Sequence, residues 1–379
     1  MSLDTTVKSG LEGVVAAQTR LSSVDGQAGE LIIAGFPVEE LAGRATFEET
    51  IYLLWHDTLP NAAQLGELRQ SLAERRTLPE ATLALLRAAA AQESDSMDVL
   101  RMAASTLSLP TKGRNDPQQD ALTLVACFPT IVAAYWRMRH GHEPIAPRAD
   151  LSQAANFLYM LSGEEPGDER VRGLETYLNT VVDHGLNAST FTARVIISTQ
   201  SDMISAITGA IGALKGPLHG GAPGPALDMV FEIGESAQAE AYLRAKLERG
   251  ERLMGFGHRV YKVRDPRADV LSVAAERLYR TDGDTKLYDL ARQVEQQAIA
   301  LLEEYKPGRK LQTNVEFYTA LLLYGLDLPT ELFTPTFAIS RVVGWTAHCF
   351  EQLALNRIIR PQSIYSGEHN RRWTEVAER

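Results

Sequence analysis

A chain of 379 residues, 45% apolar and 23% charged, is long enough to bury a large core, which excludes a disordered protein and any need for a disulfide or metal staple. Its two cysteines, Cys127 and Cys349, exclude a disulfide scaffold and a four-cysteine zinc site and fit a reducing compartment. A formal net charge of −10 argues against a nucleic-acid binder working through a basic field.

The first residues, Met1-Ser2-Leu3-Asp4, lack the basic and apolar regions of a secretory leader. No run reaches the roughly 20 uninterrupted apolar residues of a bilayer span, the nearest being residues 320–324. A soluble, cytoplasmic protein is expected, with no membrane partner. Residues 24–33, where Asp25-Gly26 precedes an apolar run, read as a small N-terminal β-hairpin. Thr46 and Glu49 form a capping box, and Phe47, Ile51, Leu54 and Trp55 follow at helical spacing until Leu59-Pro60. Leu65, Leu68 and Leu72 mark a second helix, and Leu151, Ala154, Phe157, Leu158 and Leu161 another. Leu287, Leu290, Val294 and Leu301 continue the pattern until Pro307-Gly308. The fold class is all-α.

Two stretches break the periodicity. Residues 215–225 (KGPLHGGAPGP) read as too irregular for an element, and residues 250–267 hold GFGH and then RDPR. Loops carrying His, Arg and Gly are more often functional than connective. His184, His219 and His258 sit in such settings, the last two beside glycines that let a ligand approach the backbone. Arg267, Arg341 and Arg360 lie among apolar neighbours, where a guanidinium needs an anion, either an internal carboxylate or a ligand. Several together point to a ligand with more than one carboxylate. Glu316 opens an apolar helix, where a carboxylate either complements the helix dipole or serves as a desolvated general base. His140-Gly141-His142 lacks metal-ligand spacing, and neither a P-loop nor GxGxxG is present, so no metal and no nucleotide fingerprint is expected.

These motifs together resemble the citrate synthase family in its compact bacterial and archaeal form. The strongest match is GFGHRVYK running into RDPR, residues 255–267. GLEGVVAAQT, ATFEETIYLL, MDVLR, DHGLNASTFTAR, GPLHGGA, TNVEFY and RIIRP follow the family order across essentially the whole chain. The resemblance implies an all-α homodimer with a large domain (1–220 and 329–379) and a small one (221–328) closing over a cleft. It implies condensation of acetyl-CoA with oxaloacetate and hydrolysis of the thioester to citrate and CoA, with no cofactor. Glu316 matches the base, His219 the donor to the thioester carbonyl, and His258 the group that polarises the ketone. Arg267, Arg341, His184 and Asn187 match oxaloacetate binding, with Arg360 reaching in from the partner chain. Residues 253–257 (Leu253, Met254, Gly255, Phe256 and Gly257) match the adenine-binding loop, with Lys262 and Arg264 near the phosphates. Two departures stand out. The family base is usually aspartate, whereas this chain has Glu316, and Gly185 follows His184 where many members have glutamate. Alternatives are a 2-methylcitrate synthase using propionyl-CoA and a non-catalytic paralogue sensing CoA or a dicarboxylate.

Overall fold

A computed structural model describes residues 7–111, 115–220, 224–258 and 260–379. The first residues, the expected domain boundary at Gly221 and Arg259 of the signature lie outside the described residues. Sixteen α-helices and one small sheet are found among those described, so the molecule is all-α. The N-terminal hairpin pairs β1 (Ser22–Asp25) with β2 (Glu30–Ile33), Val24 opposite Leu31. A third strand, β3 (Phe36–Pro37), extends it to an antiparallel sheet that the sequence reading did not anticipate. Asp25 shapes the turn by accepting the N–H groups of Gln27 and Ala28 at 2.9 Å.

The helices begin where capping chemistry places them. Thr46 and Glu49 cap each other's backbone at the start of the Phe47–His56 helix. That helix ends on a left-handed Asp57, ahead of the Pro60 expected to stop it. Asn61 with Gln64 opens Ala62–Ala73, and Ser152 opens Gln153–Ser162. Lys286–Tyr305 ends just before Pro307. The stretch at 215–225 is less irregular than expected, because Gly224 and Pro225 already open the Gly224–Ile233 helix.

The centre of the molecule is Pro117–Arg139, a helix that is long and apolar enough by composition to cross a membrane but is mostly buried in protein. It, and not residues 320–324, is the most membrane-like segment. Glu80–Ala91, Ser96–Thr106, Gln153–Ser162 and Phe333–Leu355 pack around it. Phe333–Leu355 then approaches the chain after Asp168–Val181 so closely that a Cβ on Gly344 would stand 2.3 Å from the Val182 carbonyl oxygen. This contact sets the height of residues 183–187 over the core. Pro266–Asp282 packs against both Val315–Gly325 and Asp168–Val181, so the late helices are fixed to the early ones. Cys127 and Cys349 are free and buried, and burial pushes both thiols up to about 12.

One buried group opposes the fold at high pH. Glu175 lies in Asp168–Val181 with Glu48 nearby, and desolvation above all raises its carboxyl from 4.5 to about 7. Its folded pKa is above the unfolded one, so the fold is favoured while the group is protonated. That contribution is present below pH 4.5 and is lost as pH rises through 7. Glu175→Gln is expected to raise unfolding free energy by about 2 kcal/mol at pH 8, with no gain near pH 4.5. Denaturation at the two pH values measures it, and equal effects at both would remove the buried charge as the cause.

Candidate active site

A cavity of about 200 Å³ lies where the loop before Ala188–Ile197, the loop after Met203–Leu214, the signature loop and the two late helices meet. His184, Asn187, His219, His258, Arg267, Glu316 and Arg341 all line it. Seven residues from five separate stretches of sequence therefore share one space. Arg360 does not. It is exposed in the extended segment after Phe333–Leu355.

The imidazoles are held as neutral donors. The backbone N–H groups of Val260 and Tyr261, each at 3.1 Å, donate to His258 Nδ1. Nδ1 is thus an acceptor and the ring proton resides on Nε2. Arg267 Nη2 stands 3.4 Å from that nitrogen, so two N–H groups lie side by side on the cavity wall. Desolvation, reinforced by the Arg267 charge, lowers His258 to about 4. His219 is arranged the opposite way round. The Ser189 N–H donates to its Nε2 at 3.3 Å, leaving the proton on Nδ1. Ser189 Oγ, 2.8 Å from both this Nε2 and Asn187 Oδ1, shares its one proton between the two acceptors while accepting from Trp345. Burial and then Arg341 bring His219 to about 4 as well. His184 is held well below its ordinary value, by burial first, and its Nε2 meets the Tyr261 hydroxyl at 3.1 Å.

The arginines divide into two kinds. Arg267 makes a two-point pair with Asp265, Nε to Oδ1 at 3.0 Å and Nη2 to Oδ2 at 2.8 Å. Asp265 also caps the Pro266–Asp282 helix, so the pair is locked to a helix start. Arg341 has no such partner. Among the described residues its hydrogen bond is from Nε to the Val181 carbonyl at 2.9 Å, its guanidinium lies 4.6 Å from the Phe337 ring centre, and no carboxylate touches it. Burial lowers it to about 10. A guanidinium in this state demands an anion, and the cavity is the open side.

Glu316 stands on the first turn of Val315–Gly325, a helix capped by Asn314, whose Oδ1 accepts the Glu316 N–H at 2.9 Å. Desolvation raises its carboxyl, with Arg267 opposing. The loop bearing His258 is zipped to the chain before this helix. Gly257 N–H donates to the Gln312 carbonyl at 2.7 Å, Asn314 N–H to Gly255, and Asn314 Nδ2 to Gly257. Phe256 and Thr313 form an antiparallel bridge. Gly255 takes φ +85 and lies against Phe317, where a Cβ would be 2.9 Å from the ring. Glu316 and His258 are thus held on one framework.

The remaining expected residues are spread around this framework. Leu253 is buried, Met254 is exposed, and Lys262 is on the surface. Arg264 is engaged by Glu295 at 2.6 Å, by Thr313 at 3.3 Å and by Asp269. Asn187 uses its Oδ1 to cap Ala188–Ile197 through the Thr190 N–H. The sequence reading missed Tyr261, which bridges the His184 and His258 rings, and Asp265 as the partner of Arg267. Asp265-Pro266 is a helix-start signal that, placed two residues before an arginine, would have revealed the second.

Residues 10–362 match the family model described as citrate synthase, C-terminal domain. The chain is 44% identical to citrate synthase 2 of Bacillus subtilis, over 99% of this chain and 100% of that one. It is 41% identical to the 2-methylcitrate synthase of Mycobacterium tuberculosis, over 96% and 92%. Its fold matches the citrate synthase of Thermoplasma acidophilum, solved as a ternary complex with carboxymethyl coenzyme A and oxaloacetate, with a TM-score of 0.87 and 31% identity over 99% and 100% of the two chains.

Proposed function

The chain belongs to the citrate synthase family, and we propose that its cavity joins the methyl carbon of acetyl-CoA to the ketone of oxaloacetate and then hydrolyses the thioester, releasing citrate and CoA. The observation that carries this reading is one cavity holding an unneutralised arginine, two imidazoles with opposite protonated nitrogens, and a desolvated carboxylate. The dianion oxaloacetate supplies the anions that Arg341 and the free edge of Arg267 require. His258 Nε2–H, beside Arg267, donates to the ketone oxygen and makes its carbon electrophilic. His219 Nδ1–H donates to the thioester oxygen while Glu316 takes a proton from the methyl group. The resulting enol carbon attacks the ketone carbon. The new alkoxide takes a proton from His258, whose ring regains one from solvent. Water then cleaves the citryl thioester, its oxygen going to the acyl carbon and a proton to the CoA sulfur, and Glu316 returns its proton to solvent. No step calls for a metal or redox group.

A neutral imidazole is a weak acid, and that suits the task. A cationic donor would bind the ground-state carbonyl strongly, whereas a neutral one gains most as negative charge develops on the oxygen. Met254 and Lys262, both exposed beside the signature loop, are well placed for the CoA nucleotide. Arg264 is a weaker candidate because its charge is already met by Glu295 and Asp269.

Oxaloacetate-dependent release of the CoA thiol from acetyl-CoA tests the reaction. Glu316→Gln is expected to lower kcat by at least about a hundredfold with oxaloacetate affinity nearly unchanged. Glu316→Asp is expected to lower kcat too, because the shorter carboxylate stands about 1 Å too far from the methyl group. A faster Asp variant would mean a site shaped for aspartate. The same assay with propionyl-CoA decides the acyl group, since a pocket discriminates one methylene by only about 1–3 kcal/mol. A higher kcat/KM for propionyl-CoA would make the protein a 2-methylcitrate synthase.

The site is read as shared between two copies in a homodimer. Arg360 is exposed and away from its own cavity, and the tail that carries it exposes Ile358, Ile364, Tyr365 and Trp373, an apolar surface suited to a partner. Mixing inactive Arg360→Ala chains with inactive His219→Ala chains is expected to restore activity, because each heterodimer then contains one intact site. Confirmed heterodimers without activity would place Arg360 in its own subunit's site.

A further inference from the structure

The β1–β2 hairpin touches both histidine loops of the cavity, at opposite ends. At its base, Ser22 Oγ donates to Asp183 Oδ2 at 2.5 Å and accepts the Gly185 N–H at 2.7 Å, so one hydroxyl grips the residues on either side of His184. At its tip, the Gly26 carbonyl accepts the Lys262 N–H at 2.8 Å. A Cβ on Gly26 would lie 2.2 Å from the Val260 carbonyl oxygen and 2.7 Å from its carbon. The hairpin backbone therefore rests directly on the backbone of residues 260–262. That stretch supplies the Val260 and Tyr261 N–H groups that fix His258 and the Tyr261 hydroxyl that meets His184.

We propose that this hairpin is the spacer that sets the relative positions of His184 and His258, with Gly26 as a positioning residue for the ketone-side donor and Ser22 for the His184 loop. The inference rests on the condensation reading above and deepens it. Glycine at position 26 is required by close approach, because the obstructing atoms are backbone and cannot rotate aside. A methyl group there must push residues 260–262 away from the hairpin. The two N–H groups move with them, and His258 loses the constraint that aims its Nε2–H into the cavity. At the other end, the Ser22 hydroxyl is the hydrogen bond between β1 and the turn that presents His184. Its companion Asp183 is tied by His348 Nε2 at 3.1 Å, and His348 in turn receives Arg194 at 3.0 Å, so the hairpin base stands on a buried polar network instead of a mobile surface.

The expected result for Gly26→Ala is a folded protein in which kcat/KM for oxaloacetate falls by about ten- to a hundredfold, the scale on which small misplacements of reacting groups act. KM for acetyl-CoA should change much less than kcat/KM for oxaloacetate, because His219 and Glu316 do not touch the hairpin and Lys262 is the one CoA-side residue on the displaced stretch. Gly43→Ala, in the same N-terminal region but with open space around its Cβ, should leave both parameters unchanged. A folded Gly26→Ala protein with wild-type kinetics, or one in which both substrates are affected equally, overturns the proposal. If Gly26→Ala does not fold, Ser22→Ala decides, with a raised KM for oxaloacetate expected and unaltered kinetics contradicting it. Wild-type protein assayed alongside keeps the two questions apart. Active wild type with unaffected variants sinks the spacer alone, whereas inactive wild type sinks the reaction and the inference built on it.

Discussion

Among the described residues no carboxylate stands against the buried cation Arg341, and the rest of the site follows from that imbalance. The nearest acidic group in electrostatic terms, Asp183, is already engaged by Ser22 and His348. Arg267 is only half satisfied, because Asp265 occupies one edge of its guanidinium. Burial of cations without full pairing is costly, and such a site is stable only if its groups can discharge the cost elsewhere. Here three histidines remain neutral, and Glu316 keeps a charge-restraining neighbour in Arg267 although burial raises it. The cavity is thereby prepared for a dianion before the dianion arrives.

Preparation of this kind needs rigidity, and the chain obtains it by tying loops to each other instead of burying them separately. The bridge between Phe256 and Thr313 joins the His258 loop to the Glu316 helix. The Asp265–Arg267 pair joins the same loop to the start of Pro266–Asp282. Ser189 links His219 to Asn187 and Trp345, and so to the core helix Phe333–Leu355. Apart from Arg267, these links rely mainly on backbone groups and the short side chain of Ser189, which lose little conformational freedom on ordering. Geometry held to a few tenths of an ångström is what separates acid–base catalysis from simple binding.

Much of this was legible in the sequence, for identifiable reasons. Thr46 with Glu49 and the 3.6-residue spacing of Phe47, Ile51 and Leu54 are local signals, and local signals survive into the fold. The site residues stood out because glycine beside histidine and arginine among apolar residues are unfavourable choices without a use. What stayed hidden depends on contacts distant in sequence. Ser22 meets Asp183 across 161 positions, and Trp55 meets Thr346 across 291. Arg194, fully buried and bound to His348, Gln352 and Glu351, has partners more than 150 positions away, so no local pattern marks it. Pro117–Arg139 escaped notice because Asp120 and Pro129 interrupt its apolar run, although burial on all sides makes it the centre of the core. The protonated nitrogen of each histidine is set by backbone N–H groups, and no side-chain pattern records their direction.

The central claim is that two neutral imidazoles, protonated on opposite nitrogens, face a cationic cavity. Nitrogen NMR of histidine-labelled protein at pH 7 tests it most directly, because ring-nitrogen shifts separate the two neutral tautomers from the cation. Single-histidine variants assign the signals. The account predicts the Nε2–H form for His258 and the Nδ1–H form for His219, both persisting to below pH 5, as values of about 4 require. A cationic signal for either residue near pH 6.5, or the same tautomer for both, would contradict it.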